Sequence, residues 1–510
     1  MWGSGAMDTI IGAVADSGAH RLRRMLKCLP SLLSFSRPLC AFLVCTLAPS
    51  FWATAAAPPS ATLPATVTAA LSRAGVPREA FAALVVPADE GSSPRLNWQG
   101  DRPMNAASVM KLATTFAALD LLGPAYTWST PVFAQGPVRD GTLQGNLYLR
   151  GSGDPSLVME RLWLLLRRVQ AHGIDAIAGD IVVDGTAFAG AARDPAAFDG
   201  EPLRAYNAAP DALLVNFKSL VLDLVPDAAA GLARIQVAPP MAGLAVQASV
   251  PLAPAGTRCG DWRAQMRLSL ADPTRLAFQG QYPAACGERS WALAPPQPEL
   301  FGPRAVAGMW LALGGRLGGS ARLGKVPDGL APLFVHSSAP LAEAVQNINK
   351  FSNNVMAQQV FLTLGLEAGG VGSLDTARAA LQTWWARRMG AAAMPVFDNG
   401  AGLSRETRIS ASSLARMLQR AWASPVMPEL MASLPIVGVD GTLRRSQSRA
   451  VGSAHLKTGS LQDVLAIAGY VHGDDGQRWV LVALVNHDHA AAARPALDAL
   501  IDWTRLASQR

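Results

Sequence analysis

Ser453-Ala454-His455-Leu456-Lys457-Thr458-Gly459-Ser460, followed by the apolar runs Val464–Val471 and Trp479–Asn486, decides the fold. The two runs are separated by the turn-forming Gly473-Asp474-Asp475-Gly476, so the segment reads as three consecutive strands. Near the other end of the chain, Ala82–Pro87 and Arg95–Trp98 read as two further strands joined across Asp89-Glu90-Gly91-Ser92. Helical spacing over Pro64–Ala74 stops at Gly75, and a second helical stretch, Ala490–Leu506, closes the chain. Two early strands, three late strands and a helix at each end predict one antiparallel five-stranded sheet flanked by helices, an α/β (α+β) arrangement. Whatever lies between the early and late strands is then inserted into one sheet.

That interval has two textures. Val109–Leu122 is a helix ending at Gly123-Pro124, and Leu341–Leu364, Leu374–Met389 and Ala411–Ala423 are helical in pattern. From about Thr127 to Ala339, short strand-like runs alternate with Gly/Pro/Asp turns: Gly145–Arg150, Ile181–Val183, Leu220–Val225 and Ala233–Val237. Only Leu157–His172 and Pro303–Leu313 look helical there. The expected organisation is therefore residues 58–127 plus 340–510 as one discontinuous domain, with 128–339 as a large, mostly-β insertion and 214–296 as an inner submodule.

Residues 1–57 read as an export signal with some preceding residues. Arg21, Arg23, Arg24, Lys27 and Arg37 precede the apolar run Leu39–Leu47, and Ala53-Thr54-Ala55-Ala56-Ala57 supplies small residues for cleavage near 55–57. The run is shorter than the roughly 20 residues of a spanning helix. An exported, periplasmic protein is expected. Of five cysteines, Cys28, Cys40 and Cys45 fall in this segment, leaving Cys259 and Cys286 as an even pair that reads as one disulfide. Two isolated cysteines without nearby histidines make no metal site. The net charge of +7 loses +3 with the signal, and no basic stripe with interleaved aromatics marks a nucleic-acid binder.

Three short motifs carry chemistry. Ser108-Val109-Met110-Lys111 opens a predicted helix, where positions i and i+3 share a face, so hydroxyl and amine point into one site. A serine hydroxyl needs a base to become a nucleophile, and a lysine of lowered pKa can be that base. Arginine cannot, because it does not deprotonate. The chain has six lysines among 44 basic residues, so a lysine is informative where it occurs. Ser352-Asn353-Asn354, after Lys350-Phe351, can place a hydroxyl and an amide on the opposite wall of a cleft. Lys457-Thr458-Gly459, followed by Ser460, puts a cation, a hydroxyl and a closely approachable backbone on a strand. Singly, each also suits a helix cap, an Asn-rich loop or a charge-guarded edge strand.

In this order the set resembles the signature of serine β-lactamases and penicillin-binding proteins. The 244 residues from Ser108 to Ser352 make the chain similar to the class C low-molecular-mass penicillin-binding proteins, the D-alanyl-D-alanine carboxypeptidase/endopeptidase family. Gly151-Ser152-Gly153-Asp154-Pro155, Gly179–Gly185, Asp398–Arg405 and Val439-Asp440-Gly441-Thr442-Leu443 fit that family's texture, with Asn399 and Ala401 departing from its usual Asp-Gly-Ser-Gly-Leu-Ser. The resemblance implies a transpeptidase-like catalytic domain in which Ser108 attacks and Lys111 is the general base. It further implies that Ser352 relays the proton and Asn354 holds the peptide. Lys457 and Thr458 would bind the terminal carboxylate along the strand through Gly459, and the N–H groups of Ser108 and Ser460 would form the oxyanion hole. It implies peptidoglycan stem peptides as substrate, β-lactams as covalent inhibitors, peripheral contact with the membrane, and no cofactor or metal. A β-lactamase or esterase of the same fold, and a non-catalytic wall-binding protein, are the rival readings. His487 and His489 flank Asp488 without a third ligand and read as structural or solvated, and His455 shares the strand face of Lys457.

Overall fold

In the computed structural model, which describes residues 62–190, 194–294, 297–392 and 394–506, the early and late strands meet. β1 (Phe81–Pro87) and β2 (Leu96–Trp98) join β3 (Ala454–Leu461), β4 (Val464–His472) and β5 (Arg478–Asn486) in one antiparallel sheet of order β3-β4-β5-β1-β2. The central strands are continuous apolar runs because both faces are covered. On β5, the period-two alternation sends Leu481, Ala483 and Val485 to one face and Val480, Val482 and Leu484 to the other. The first face packs on α1 (Ala65–Arg73) and a C-terminal helix (Arg494–Arg505) through Leu71, Leu500 and Ile501. The second meets α2 (Lys111–Leu122), α3 (Leu341–Phe351), α4 (Asn354–Gly369), α5 (Leu374–Met389) and α6 (Ala411–Trp422), so the C-terminal helix is α7.

Two helices differ from their expected spans. The first, expected over Val109–Leu122, begins as a tight 3-10 turn at Ala107–Met110 and becomes α-helical only at Lys111. The second, expected as one helix over Leu341–Leu364, breaks at Ser352, whose backbone is left-handed (φ 58°, ψ 34°). The break is stabilised locally: the side chain of Asn353 caps α4 by accepting from Met356 N at 3.1 Å. Helical periodicity runs straight through this point, and only the Ser-Asn-Asn run signals the cap.

The intervening segment carries its own buried cluster, from Val132 to Phe334, including Leu165, Leu222 and Trp310. One five-stranded sheet contains Ser129–Ala134, Leu147–Arg150, Ile181–Asp184, Ala321–Leu323 and Phe334–Ser337. Leu220–Asp227, Leu232–Ala238, Ser249–Pro251 and Arg289–Leu293 form another sheet beyond it. Beside that second sheet a disulfide joins Cys259 to Cys286, with Cα atoms 4.8 Å apart, near the edge-on rings of Trp262 and Tyr282. The inserted segment is fastened to α4 by a reciprocal pair: Asp211 N donates to Gln359 Oε1 at 2.9 Å and Gln359 Nε2 donates to Asp211 O at 2.8 Å. The export-signal reading of residues 1–57 lies outside the described residues. Among the described residues no helix is long and apolar enough to cross a membrane.

The disulfide closes a loop of 27 residues, for which chain entropy gives about 3.5 kcal/mol. The double substitution Cys259→Ser/Cys286→Ser should therefore lower the unfolding free energy by about that amount in denaturant titration. Free thiols in the protein recovered from an oxidising compartment would contradict the pairing.

Candidate active site

Three distant stretches converge at the amine of Lys111. Its side chain is inaccessible to solvent, and Nζ lies 2.8 Å from Ser108 Oγ, 2.7 Å from Asn354 Oδ1 and 2.7 Å from Ala401 O. The Asn354 amide is oriented by its other end, since Nδ2 donates to Tyr206 O at 3.1 Å. Two of the three partners of Nζ are therefore oxygens that only accept, whereas the Ser108 hydroxyl can also donate. A neutral amine satisfies this shell completely by donating to Asn354 and Ala401 and accepting from Ser108. Burial, and secondarily the nearby Lys457, hold the Lys111 pKa well below its ordinary value.

Lys457 is equally buried. Its Nζ lies 2.9 Å from Ser352 Oγ and 2.7 Å from Thr458 O, and burial lowers its pKa to about 7. Ser352 thus sits on Lys457 rather than on Lys111. Among the described lysines, 218, 325 and 350 pair with Asp211, Asp328 and Asp440, and only 111 and 457 have no acidic partner.

The backbone carrying Ser108 is clamped from two sides. A Cβ at Gly459 would lie 2.5 Å from Ala106 O and 3.1 Å from Ser108 N, so β3 can lie this close only with glycine there. A Cβ at Gly402 (φ 73°) would collide with the carbonyl of Ala107. Ala107 itself is left-handed (φ 45°), a strained conformation held by Asn105, whose Oδ1 accepts from Ala107 N at 2.8 Å. Asn105 is in turn locked to the end of β5: its N donates to Asn486 Oδ1 at 2.9 Å, and Asn486 Nδ2 returns to Asn105 O at 2.8 Å.

A further tie runs behind Ser352. Lys350 Nζ contacts Asp440 Oδ2 at 2.6 Å, and Thr442 Oγ1 lies 2.7 Å from Thr458 Oγ1. The Val439–Leu443 segment therefore links the Ser-Asn-Asn turn to β3. His455 lies on the same face of β3 as Lys457 and Gly459. It is half-buried beside the Lys350–Asp440 pair, its pKa lowered by burial and then by Lys350, with its ring 5.6 Å from that of His472. His489 N donates to His487 Nδ1 at 3.0 Å, and among the described residues no cluster of His, Cys, Asp or Glu could hold a metal ion.

The eight motif residues thus lie on three stretches tied pairwise: Lys111 joins Ser108 to Asn354, Lys457 meets Ser352, and Gly459 lies against the backbone of Ser108. Sequence reasoning missed the Ala401 and Tyr206 carbonyls, the Asn105–Asn486 lock and the Lys350–Asp440 tie. The departure at Ala401 is explained by the contact: the group presented to Lys111 is a backbone carbonyl. Asn399 shapes that loop by accepting from Ala401 N at 3.0 Å and donating to Leu403 O at 2.8 Å.

Comparison with known proteins gives a family and a fold. Residues 63–506 match the D-Ala-D-Ala carboxypeptidase 3 (S13) family. A D-alanyl-D-alanine carboxypeptidase of an Actinomadura species is 28% identical over 414 residues, 77% of this chain and 75% of that protein. D-alanyl-D-alanine carboxypeptidase DacB of Haemophilus influenzae is 24% identical over 398 residues, 76% of this chain and 82% of that one. The crystal structure of penicillin binding protein 4 (dacB) from Haemophilus influenzae shares the fold with a TM-score of 0.69, at 21% identity, over 86% of this chain and 99% of that chain.

Gly402→Ala combines a backbone collision with a left-handed φ and should cost about 2–3 kcal/mol. Relief of the collision must move Ala107 and hence Ser108. Thermal denaturation should show the destabilisation, and labelling of Ser108 by a fluorescent penicillin should slow in the fraction that remains folded. Labelling at the unsubstituted rate would refute the clamp.

Proposed function

Because the chain belongs to the D-Ala-D-Ala carboxypeptidase 3 (S13) family, we propose that it is a serine hydrolase that cuts D-alanyl peptide bonds of peptidoglycan through an acyl-enzyme on Ser108. The observation that carries this reading is the Lys111 shell, in which the one donor-capable partner of a neutral amine is the Ser108 hydroxyl. Ser108 Oγ attacks the carbonyl carbon of the penultimate D-Ala as its proton passes to Lys111 Nζ. The oxyanion is held by the N–H groups of Ser108 and Ser460, each worth about 3 kcal/mol. When the C–N bond breaks, Ser352 Oγ gives its proton to the leaving amine and takes one from Lys457 Nζ, its hydrogen-bond partner. Asn354, already braced between Lys111 and Tyr206, supports the acyl-donor strand, which lies along β3 beside Gly459 and Thr458. Water then attacks the ester, losing a proton to Lys457 through Ser352, while Lys111 returns the proton of Ser108 Oγ and both amines recover their starting states.

β-Lactams meet the same nucleophile and leave an acyl group that hydrolyses slowly. Carboxypeptidase and endopeptidase cleavage share this chemistry, since both cut after a D-Ala acyl donor. A substrate of this kind places the working protein outside the cytoplasmic membrane, in keeping with an export signal at residues 1–57 and a periplasmic location.

Ser108→Ala should abolish the covalent penicillin adduct, and mass spectrometry locating an adduct on another residue would refute the assignment. Lys111→Arg keeps the charge but cannot accept a proton, and should slow acylation by about 100-fold or more. Because Lys111 acts unprotonated, the wild-type acylation rate should climb with pH through a range starting well below 10.5, the ordinary lysine value. A rate that is flat or falls over that range would exclude Lys111 as the base. Digestion of purified peptidoglycan should release free D-Ala or convert cross-linked stem peptides to uncross-linked ones.

A further inference from the structure

Lys457 is a poor group for gripping a substrate carboxylate. Its amine is inaccessible, is already engaged by Ser352 Oγ and Thr458 O, and is drawn down to about pH 7 in its titration. A carboxylate next to the cleaved bond needs a permanent charge from elsewhere.

β3 is an edge strand, so Thr458 and Ser460 lie next to a free edge. Beside them is a cavity of 220 Å³, lined on its polar side by Thr442, Thr458, Ser460 and Arg494 and on its apolar side by Leu443, Leu465 and Leu497. Thr442 Oγ1 and Thr458 Oγ1 are 2.7 Å apart. One hydroxyl donates to the other, and the second proton of the pair is left for another acceptor. Arg494 has no hydrogen bond, ion pair or ring partner among the described residues. It is also the first residue of α7, where the helix dipole disfavours a cation and the first turn holds no acid. Its position therefore does nothing for the helix. Asp498, one turn later on the same cavity wall, is turned to Ser446, whose hydroxyl donates to it at 2.7 Å.

We propose that this cavity binds the carboxylate of the leaving group, with Arg494 supplying the charge and Thr442 acting with Thr458 as hydroxyl donors. Arg494 is thus a specificity-determining residue: it selects leaving amines that carry an adjacent carboxylate. The guanidinium keeps its charge at any working pH, whereas the buried lysines do not. The inference rests on the acyl-enzyme reading, since it places the leaving group relative to Ser108.

Two acyl donors with the same D-Ala acyl part test it: one whose leaving group is free D-Ala, and one whose leaving group is a neutral thiol. In wild-type protein and in Arg494→Ala, kcat/KM is measured for both. A lost charge-assisted hydrogen bond should reduce the preference for the carboxylate-bearing donor by about 10-fold, and Arg494→Lys should recover part of it. The thermal midpoint, read in parallel, should stay within a degree or two. Equal loss on both donors, or an unchanged preference, overturns the proposal. Failure of the unsubstituted protein to turn over either donor overturns the acyl-enzyme reading itself, and this one with it.

Discussion

The constraint on which the molecule depends is the burial of one amine without an acid. Lys111 is fully enclosed, and the groups within hydrogen-bonding distance are a hydroxyl, an amide oxygen and a carbonyl. An isolated ammonium is expensive to bury, and a group so placed neutralises instead. A carboxylate in the shell would have reversed the outcome by holding the proton on nitrogen. The carbonyls of Asn354 and Ala401 take both hydrogens of the neutral amine and leave its lone pair for Ser108. Removing an acid from the pocket therefore matters as much as adding a lysine to it.

That shell has to be assembled from parts of the chain 243 and 290 residues from Lys111, which explains why the surrounding backbone is held so tightly. Ala107 is kept left-handed by Asn105, Asn105 by Asn486 on β5, and the whole turn by the close approach of Gly402 and Gly459. The strain of one non-glycine residue at positive φ persists because several independent contacts over-determine it. The sheet supplies the rigid reference for all of them. β5 fixes Asn105, and β3, two strands away at the edge, carries Gly459 and Lys457. The inserted segment contributes by bracing Asn354 with a single carbonyl, that of Tyr206, and by docking on α4 through Asp211.

The sheet was legible because period-two alternation and turn residues are properties of side chains, and the five strands read from them pair as expected. The motif residues were legible for the same reason. What escaped was carried by backbone or by long-range pairing. A carbonyl such as Ala401 or Tyr206 has no letter of its own, so no sequence pattern marks it. The break at Ser352 escaped because apolar spacing continues across it, and a cap of Ser and Asn overrides periodicity only locally. Lys350 and Asp440 are individually ordinary, and the bond between them exists only once Val439–Leu443 folds against α3.

The use of basic residues follows one physical rule. Arginine holds its charge wherever it is placed, so it suits surface pairs such as Arg161–Glu343 and Arg322–Asp180. Lysine loses its proton when it is desolvated, which makes it the residue that can serve as a base. The described lysines divide accordingly: those with an aspartate partner fasten loops, and the two without one meet the hydroxyls of Ser108 and Ser352. Burial draws both amines toward neutrality, and Lys457 further disfavours a proton on Lys111, so on the proposed reading the site gains a base at the expense of fixed charge. On the proposed reading, an anionic peptide terminus would be held by groups outside the amine pair, at the free edge of β3.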